Sequence, residues 1–213
     1  MLEKLINLIE KQDKAQAVTL CLNALQDGDL SIPELYENVL APALNRIVVT
    51  HSNEDDMIWR EHMMSSIVRS IVETCYPFVL REREKTAMQT ADTALVVCPR
   101  QEEHEIGARM AADFFTIWGF NTVYIGANTP DKTLLKAVES LQPRYIAVSV
   151  SNYYHMFAAK DMIANVRARF EVTIAAGGQA FAKNPEAVST IGADMLLKGF
   201  NDIGTLRKGG GAS

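Results

Sequence analysis

The sequence predicts an α/β protein in two parts: an N-terminal four-helix bundle, then a five-stranded parallel sheet with helices on both faces. Three observations predict it. Apolar residues recur at helical spacing as far as about Val79. Beyond that point, short β-rich runs alternate with helical stretches. Between the two regimes lies Arg81-Glu82-Arg83-Glu84-Lys85, a charge run without apolar periodicity. With 48% hydrophobic and 22% charged residues over 213 positions, the chain has apolar material for real cores.

In the first part, Leu2, Leu5, Ile6 and Ile9 share one helical face. Asp13 is placed to cap a second helix carrying Ala17, Leu20, Cys21, Ala24 and Leu25, which Gly28 ends. Ser31-Ile32-Pro33-Glu34 reads as a capping box with proline in the first turn, opening a third helix through Val39, Leu40, Leu44 and Ile47. A fourth, longer helix begins near Ser52 or Asn53, where Glu54, Asp55 and Asp56 suit the positive end of the helix dipole. It runs through Trp59, Met63, Ile67, Ile71 and Cys75. The expected division is a helical domain over 1–80, a linker over 81–91, a sheet domain over 92–207 and a flexible tail over 208–213.

In the second part the expected strands are Ala94–Cys98, Thr122–Ile125, Tyr145–Val150, Val172–Ala176 and Met195–Lys198. Helices are expected near Glu103–Trp118, Asp131–Leu141, Phe157–Arg169 and Pro185–Ile191. Gly119 ends the first, and Thr129-Pro130 supplies a cap and a first-turn proline for the second. This alternation means right-handed βαβ units and a parallel sheet. Five strands predict the flavodoxin-like order 2-1-3-4-5.

Composition excludes several classes. A net charge of -5 offers no basic surface for direct nucleic-acid binding. No apolar run is long enough to span a bilayer, and Met1-Leu2-Glu3-Lys4 opens no signal-peptide pattern. Cys21, Cys75 and Cys98 are odd in number, far apart and in apolar contexts, so they read as buried free thiols in a reducing cytoplasm.

Topology places the chemistry. In a 2-1-3-4-5 sheet the chain leaves strands 1 and 3 in opposite directions, and a crevice opens between the loops at their carboxyl ends. The first loop carries Glu102, His104 and Gly107. The third strand and its loop carry Ser149, Ser151, Asn152, Tyr153, Tyr154 and His155. The fourth strand ends in Gly177-Gly178, which permits close approach to the backbone. Neutral imidazole is a common metal ligand, and a carboxylate two residues away can fix its tautomer. No Gly-x-Gly-x-x-Gly or Walker pattern accompanies these residues. His155 reads as a rim residue, Ser151 and Asn152 as satisfying backbone groups at a strand end, and Glu103 and Glu105 as solvated.

Glu102-x-His104-x-x-Gly107, Ser149-x-Ser151 and Gly177-Gly178 together resemble the cobalamin-binding signature Asp-x-His-x-x-Gly, Ser-x-Leu, Gly-Gly. In that family the histidine replaces the cofactor's dimethylbenzimidazole as lower axial ligand to cobalt, and the displaced nucleotide tail enters a groove. The resemblance therefore implies that His104 ligates cobalt, with Glu102 behind it. It implies that Gly107 leaves room for the tail, and that Ser149, Ser151, Gly177 and Gly178 line the groove. Glutamate replaces the family aspartate at 102, changing its reach. Serine replaces leucine at 151, making that wall more polar.

The first half also resembles the helical caps of this family. Glu61-His62, with Ser65 and Val68-Arg69, looks like the B12-dependent photoreceptor regulators. There a tryptophan ten residues before the pair shields the upper cobalt face. Here His51 stands at that position, and Trp59 is out of register. As a plain residue, His51 is an exposed helix-end side chain; under the resemblance it would ligate cobalt from above. Trp59, Glu61 and His62 read either as bundle packing and solvated face or as an upper-face set.

What the resemblance implies is a cobalamin-binding sensor or regulator, holding adenosyl-, methyl- or hydroxocobalamin and acting through a partner protein, with homo-oligomer formation possible. The alternative is a corrinoid methyl carrier serving a separate methyltransferase. In both the chain is not a complete enzyme by itself. A third reading is a haem-binding sensor, since a histidine pair suits iron as well.

Overall fold

In the computed structural model, which describes residues 1–47, 54–86 and 90–208, the chain divides into two units, Met1–Glu82 and Arg83–Ser213. The first is helical: α1 (Leu2–Glu10), α2 (Lys14–Gln26), α3 (Ile32–Leu35), α4 (Ala41–Ile47) and, as far as Glu82, α5 (Glu54–Lys85). Asp13 caps α2 by accepting from the Gln16 amide, and Ser31 and Glu34 close the reciprocal capping box on α3. The expected third helix is interrupted. Between α3 and α4 one π-helical turn spans Tyr36–Leu40, where the Ala41 N–H reaches back to the Tyr36 carbonyl. Pro42 explains it: proline has no N–H to donate, and its ring crowds the carbonyl four residues back, so the helix widens just before it.

Helix α5 buries Met64, Ile67, Val68, Ile71, Val72, Cys75 and Val79, one face at helical spacing. Leu5, Ile9, Ile32, Leu35, Tyr36 and Leu40 are fully or almost fully buried in the same unit. The Glu82 carboxylate accepts the Ile32 amide at 2.6 Å, so α5 helps cap α3. Arg81–Lys85, where the sequence reading begins a linker, form the last turns of α5. The expected capping residues of α5, Ser52 and Asn53, lie outside the described residues, as does His51.

The second unit is a five-stranded parallel sheet in the predicted order β2-β1-β3-β4-β5. Its strands are β1 (Thr93–Pro99), β2 (Asn121–Thr129), β3 (Tyr145–Ser149), β4 (Thr173–Gly177) and β5 (Met195–Leu197). The helices are α6 (Ile106–Ile117), α7 (Asp131–Leu141), α8 (Met156–Arg167), α9 (Ala187–Thr190) and α10 (Phe200–Lys208). β1 and β3 are buried almost throughout, as expected of strands covered on both faces. Leu95, Val97, Ile146, Val148, Ile174 and Ala176 form one core with Leu134, Val138, Met162 and Ile163 from α7 and α8. The three cysteines are buried free thiols. No described helix is long and apolar enough to cross a membrane.

Three local expectations are corrected. β2 is longer than Thr122–Ile125, because two register slips against β1 carry it on to Thr129. Thr129 does not cap α7: Pro130 occupies the capping position, and the Thr129 hydroxyl donates to the Gly126 carbonyl at 3.2 Å. The sequence reading also has no counterpart of α10. That helix is held by Trp118, whose indole donates to the Phe200 carbonyl at 2.8 Å and stacks on the Phe200 ring at 5.0 Å. The Tyr145 hydroxyl adds a bond to the Leu206 carbonyl at 3.0 Å. A Cβ on Gly204 would lie 2.5 Å from the Trp118 ring, so glycine there lets the helix dock.

Gly204→Ala is therefore expected to lift α10 from α6 and to cost roughly 2 kcal/mol, as overpacking does. Hydrogen exchange should show faster exchange in Phe200–Lys208 with β1 and β3 still protected; unchanged protection of α10 contradicts the packing account.

Candidate functional site

β1 runs out of the core at Pro99 and the chain turns at once. Gln101 takes a left-handed conformation (φ 68°), and the Glu102 amide donates back to the Pro99 carbonyl at 3.1 Å. This turn aims the Glu102 side chain inward, where it has no exposed surface. A buried carboxylate is costly unless its oxygens find donors. Oε1 accepts the His104 backbone N–H at 3.0 Å and the His104 ring Nδ1 at 2.6 Å. Oε2 accepts the Ser151 and Asn152 amides at 2.8 and 2.9 Å. Glu102 thus ties the loop after β1 to the loop after β3, across the switch point of the sheet.

Burial alone would raise the Glu102 pKa. The His104 ring and the Asn152, His104 and Ser151 amides outweigh it and hold the carboxyl at about 2. The group is therefore ionised at neutral pH and can only accept. The proton in the 2.6 Å contact belongs to His104 Nδ1, which leaves the lone pair of the neutral ring on Nε2. The His104 side chain is 52% exposed, so a buried carboxylate backs an imidazole that reaches the surface.

The other sequence-predicted residues gather around this pair in different ways. Ser149 ends β3, nearly buried and in register with Gly177. Ser151 contributes its backbone amide to Glu102. Gly107 lies in the first turn of α6, where a Cβ would meet nothing within 4 Å. The glycine pair has an intramolecular reason. A Cβ on Gly177 would lie 2.9 Å from the Leu197 carbonyl oxygen; on Gly178, at φ +107°, it would lie 2.4 Å from that of Val150. The close approach that demands glycine is the chain's own backbone.

Two readings are corrected here. Glu105 is not solvated: its side chain is 12% exposed, accepts the Tyr124 hydroxyl at 2.7 Å and lies 3.3 Å from Arg109. His155 is not a simple rim residue. It is 18% exposed, and its Nδ1 stands 3.2 Å from Glu102 Oε2, although not aligned for a hydrogen bond. The signal for His155 was its place on the loop that Glu102 anchors, which needs the fold to be seen. Cys98 ends β1 nearby, but burial pushes its thiol up to about 12, which keeps it protonated. Among the described residues, no group of three histidine, cysteine, aspartate or glutamate side chains could hold a metal ion. Trp59, Glu61 and His62 lie close together on α5 in the helical unit, with Trp59 and His62 exposed. The Arg60 guanidinium covers the Trp59 ring at 5.0 Å.

Fold and site together define a parallel-sheet domain that exposes one carboxylate-backed imidazole at its switch point. Residues 93–201, just over half of the chain, match the B12 binding domain, and the chain belongs to that family. Cobalamin is accordingly its cofactor class, and the family match gives no support to haem. Among solved structures, the chain resembles the monomethylamine corrinoid protein of Methanosarcina barkeri, with a TM-score of 0.77 at 18% identity over 96% of this chain and 95% of that one. It also resembles a chain in the structure of the methanol:cobalamin methyltransferase complex MtaBC of the same organism, at TM-score 0.53 and 16% identity, over 98% of this chain and 79% of that one. A cobalamin-binding protein from Desulfitobacterium hafniense DCB-2 matches at TM-score 0.51 and 12% identity, over 98% and 97%. At these identities the likeness is one of fold. No curated protein matches the chain.

The depressed Glu102 pKa has a pH consequence. Stability from this carboxylate is fully present above its unfolded pKa of about 4.3 and is lost as pH falls toward the folded value of about 2. Glu102→Gln is expected to be less stable than wild type by roughly 2–3 kcal/mol at pH 7. In urea titrations that gap should close between about pH 5 and pH 2; a gap independent of pH contradicts the ionised, hydrogen-bonded carboxylate.

Proposed function

We propose that this protein is a corrinoid carrier that holds cobalamin through His104 as lower axial ligand and presents it to a separate methyltransferase. One observation carries the reading: the 2.6 Å contact between His104 Nδ1 and the buried, ionised Glu102, which directs the ring's lone pair to Nε2. Cobalamin, when bound, supplies a cobalt centre that accepts and releases a methyl group. The chain's own residues do the rest. Glu102 fixes the tautomer and raises the basicity of the imidazole. Gly107 leaves space on α6, and Ser149, Ser151, Gly177 and Gly178 line the path of the nucleotide tail. No residue of this chain need act on the methyl donor or acceptor, so a partner supplies that chemistry. The match to a corrinoid protein over nearly the whole of both chains, and the occurrence of a similar fold in a methyltransferase complex, support this reading.

A sensor reading rests on Trp59, Glu61 and His62, whose short stretch of α5 keeps a tryptophan and a histidine exposed, together with His51. It expects light to change the oligomeric size of the loaded protein. Gel filtration of the protein loaded with methylcobalamin, in darkness and after illumination, separates the two. The carrier reading predicts retained corrinoid and an unchanged elution position; light-dependent assembly favours the sensor. With hydroxocobalamin, His104→Ala is expected to bind about tenfold more weakly or worse. Failure of the wild-type protein to retain any corrinoid contradicts both.

A further inference from the structure

The loop bearing His104 is anchored on one side by Glu102 and the β3 loop; its other side is held by a residue of β2. Asn128 makes three hydrogen bonds to the turn between β1 and α6. Its backbone N–H donates to the Glu102 carbonyl at 2.9 Å. Its Oδ1 accepts the Gln101 N–H at 2.8 Å, and its Nδ2 donates to Glu103 Oε1 at 2.8 Å. These bonds fall on three successive residues, the last of them next to His104.

The chain goes to some length to bring Asn128 there. Against β1, the register of β2 slips between Val96 and Val97 and again between Val97 and Pro99, so that Pro99 faces Thr129. Asn128 itself is left-handed at φ 47°, as is Gln101 at φ 68° across the gap. Asparagine is one of the few residues other than glycine that enters this region readily. It also carries one acceptor and one donor on the same short side chain. Aspartate would keep the bond from Gln101 but lose the donor, and would set a second charge against Glu103. Glycine would keep the backbone shape and lose both side-chain bonds.

We propose that Asn128 is the positioning residue for the axial histidine: it sets the turn from which His104 is presented to the cofactor, while Glu102 sets the ring's tautomer. The inference rests on the reading of His104 as the cobalt ligand. The Glu102 side chain fixes the distance from imidazole to carboxylate and ties the loop to the β3 side; it makes none of the bonds that hold the loop to β2. Asn128 makes them, holding both the main chain of Gln101 and Glu102 and the side chain of Glu103.

The test uses the full chain, grown with nitrogen-15 histidine, loaded with unlabelled hydroxocobalamin and reduced to the paramagnetic cobalt(II) state, with the nitrogen-15 doublet in electron paramagnetic resonance measuring the fraction of cobalt carrying a protein nitrogen. Asn128→Gly is expected to retain corrinoid within about threefold of wild type but to lower the ratio of histidine-bound cobalt to all other cobalt about tenfold, as loss of two hydrogen bonds would. Asn128→Asp, which keeps the Gln101 bond, should restore part of that ratio. Glu103→Ala, at an exposed position, removes the third bond without touching the β2 backbone and should lower the ratio about threefold; it carries the test if Asn128→Gly does not fold. An unchanged ratio in Asn128→Gly or, failing that variant, in Glu103→Ala, alongside loss of the nitrogen signal in His104→Ala, overturns the role of Asn128 and leaves His104 as ligand. Absence of a protein nitrogen in the wild-type signal overturns the reading beneath it, and this inference with it.

Discussion

A carboxylate with no exposed surface must find hydrogen-bond donors inside the protein, and Glu102 finds them on both sides of the sheet's switch point. One oxygen holds the histidine of the β1 loop; the other holds two amides of the β3 loop. That bridge joins the two loops through a single side chain. The tautomer of His104, the closeness of His155 and the low pKa of the carboxyl all follow from this one buried group.

The glutamate itself deserves a physical reading, since the family signature has aspartate at this position. A longer side chain changes the reach of the carboxylate. The geometry shows the added methylene spent on reach: one carboxylate spans from the His104 ring to the Ser151 and Asn152 amides. The serine in place of the family leucine fits the same arrangement, because position 151 contributes a backbone amide here.

Much of the fold was legible because it depends on patterns that repeat locally. The change of apolar period announced two units, and the alternation of strands and helices gave the sheet order. Asp13 and the Ser31–Glu34 box were readable as caps because capping is short-range chemistry. What was not legible depends on tertiary partners. The π turn before Pro42 looks like ordinary helix in a periodicity count. Helix α10 exists because Gly204 and Phe200 fit Trp118, far away in the chain. The candidate site shows the same division. Glu102 and His104 are two residues apart and could be paired from sequence, whereas Asn128 and His155 reach them only once β2 and β3 lie beside β1. Gly177 and Gly178 tolerate close approach, as a glycine pair at a strand end implies, and the approaching group is the protein's own backbone.

The central claim is that the imidazole backed by Glu102 takes the lower position on cobalt in place of the cofactor's own base. Electron paramagnetic resonance of the cobalt(II) form tests it most directly, in protein grown with nitrogen-15 histidine and loaded with unlabelled cobalamin. A coordinated protein histidine turns the nitrogen splitting of each cobalt line from a triplet into a doublet, because the nuclear spin changes from one to one half. The account predicts the doublet, and its disappearance in His104→Ala. A triplet that persists in the labelled protein means the cofactor's benzimidazole still holds the metal, and contradicts it.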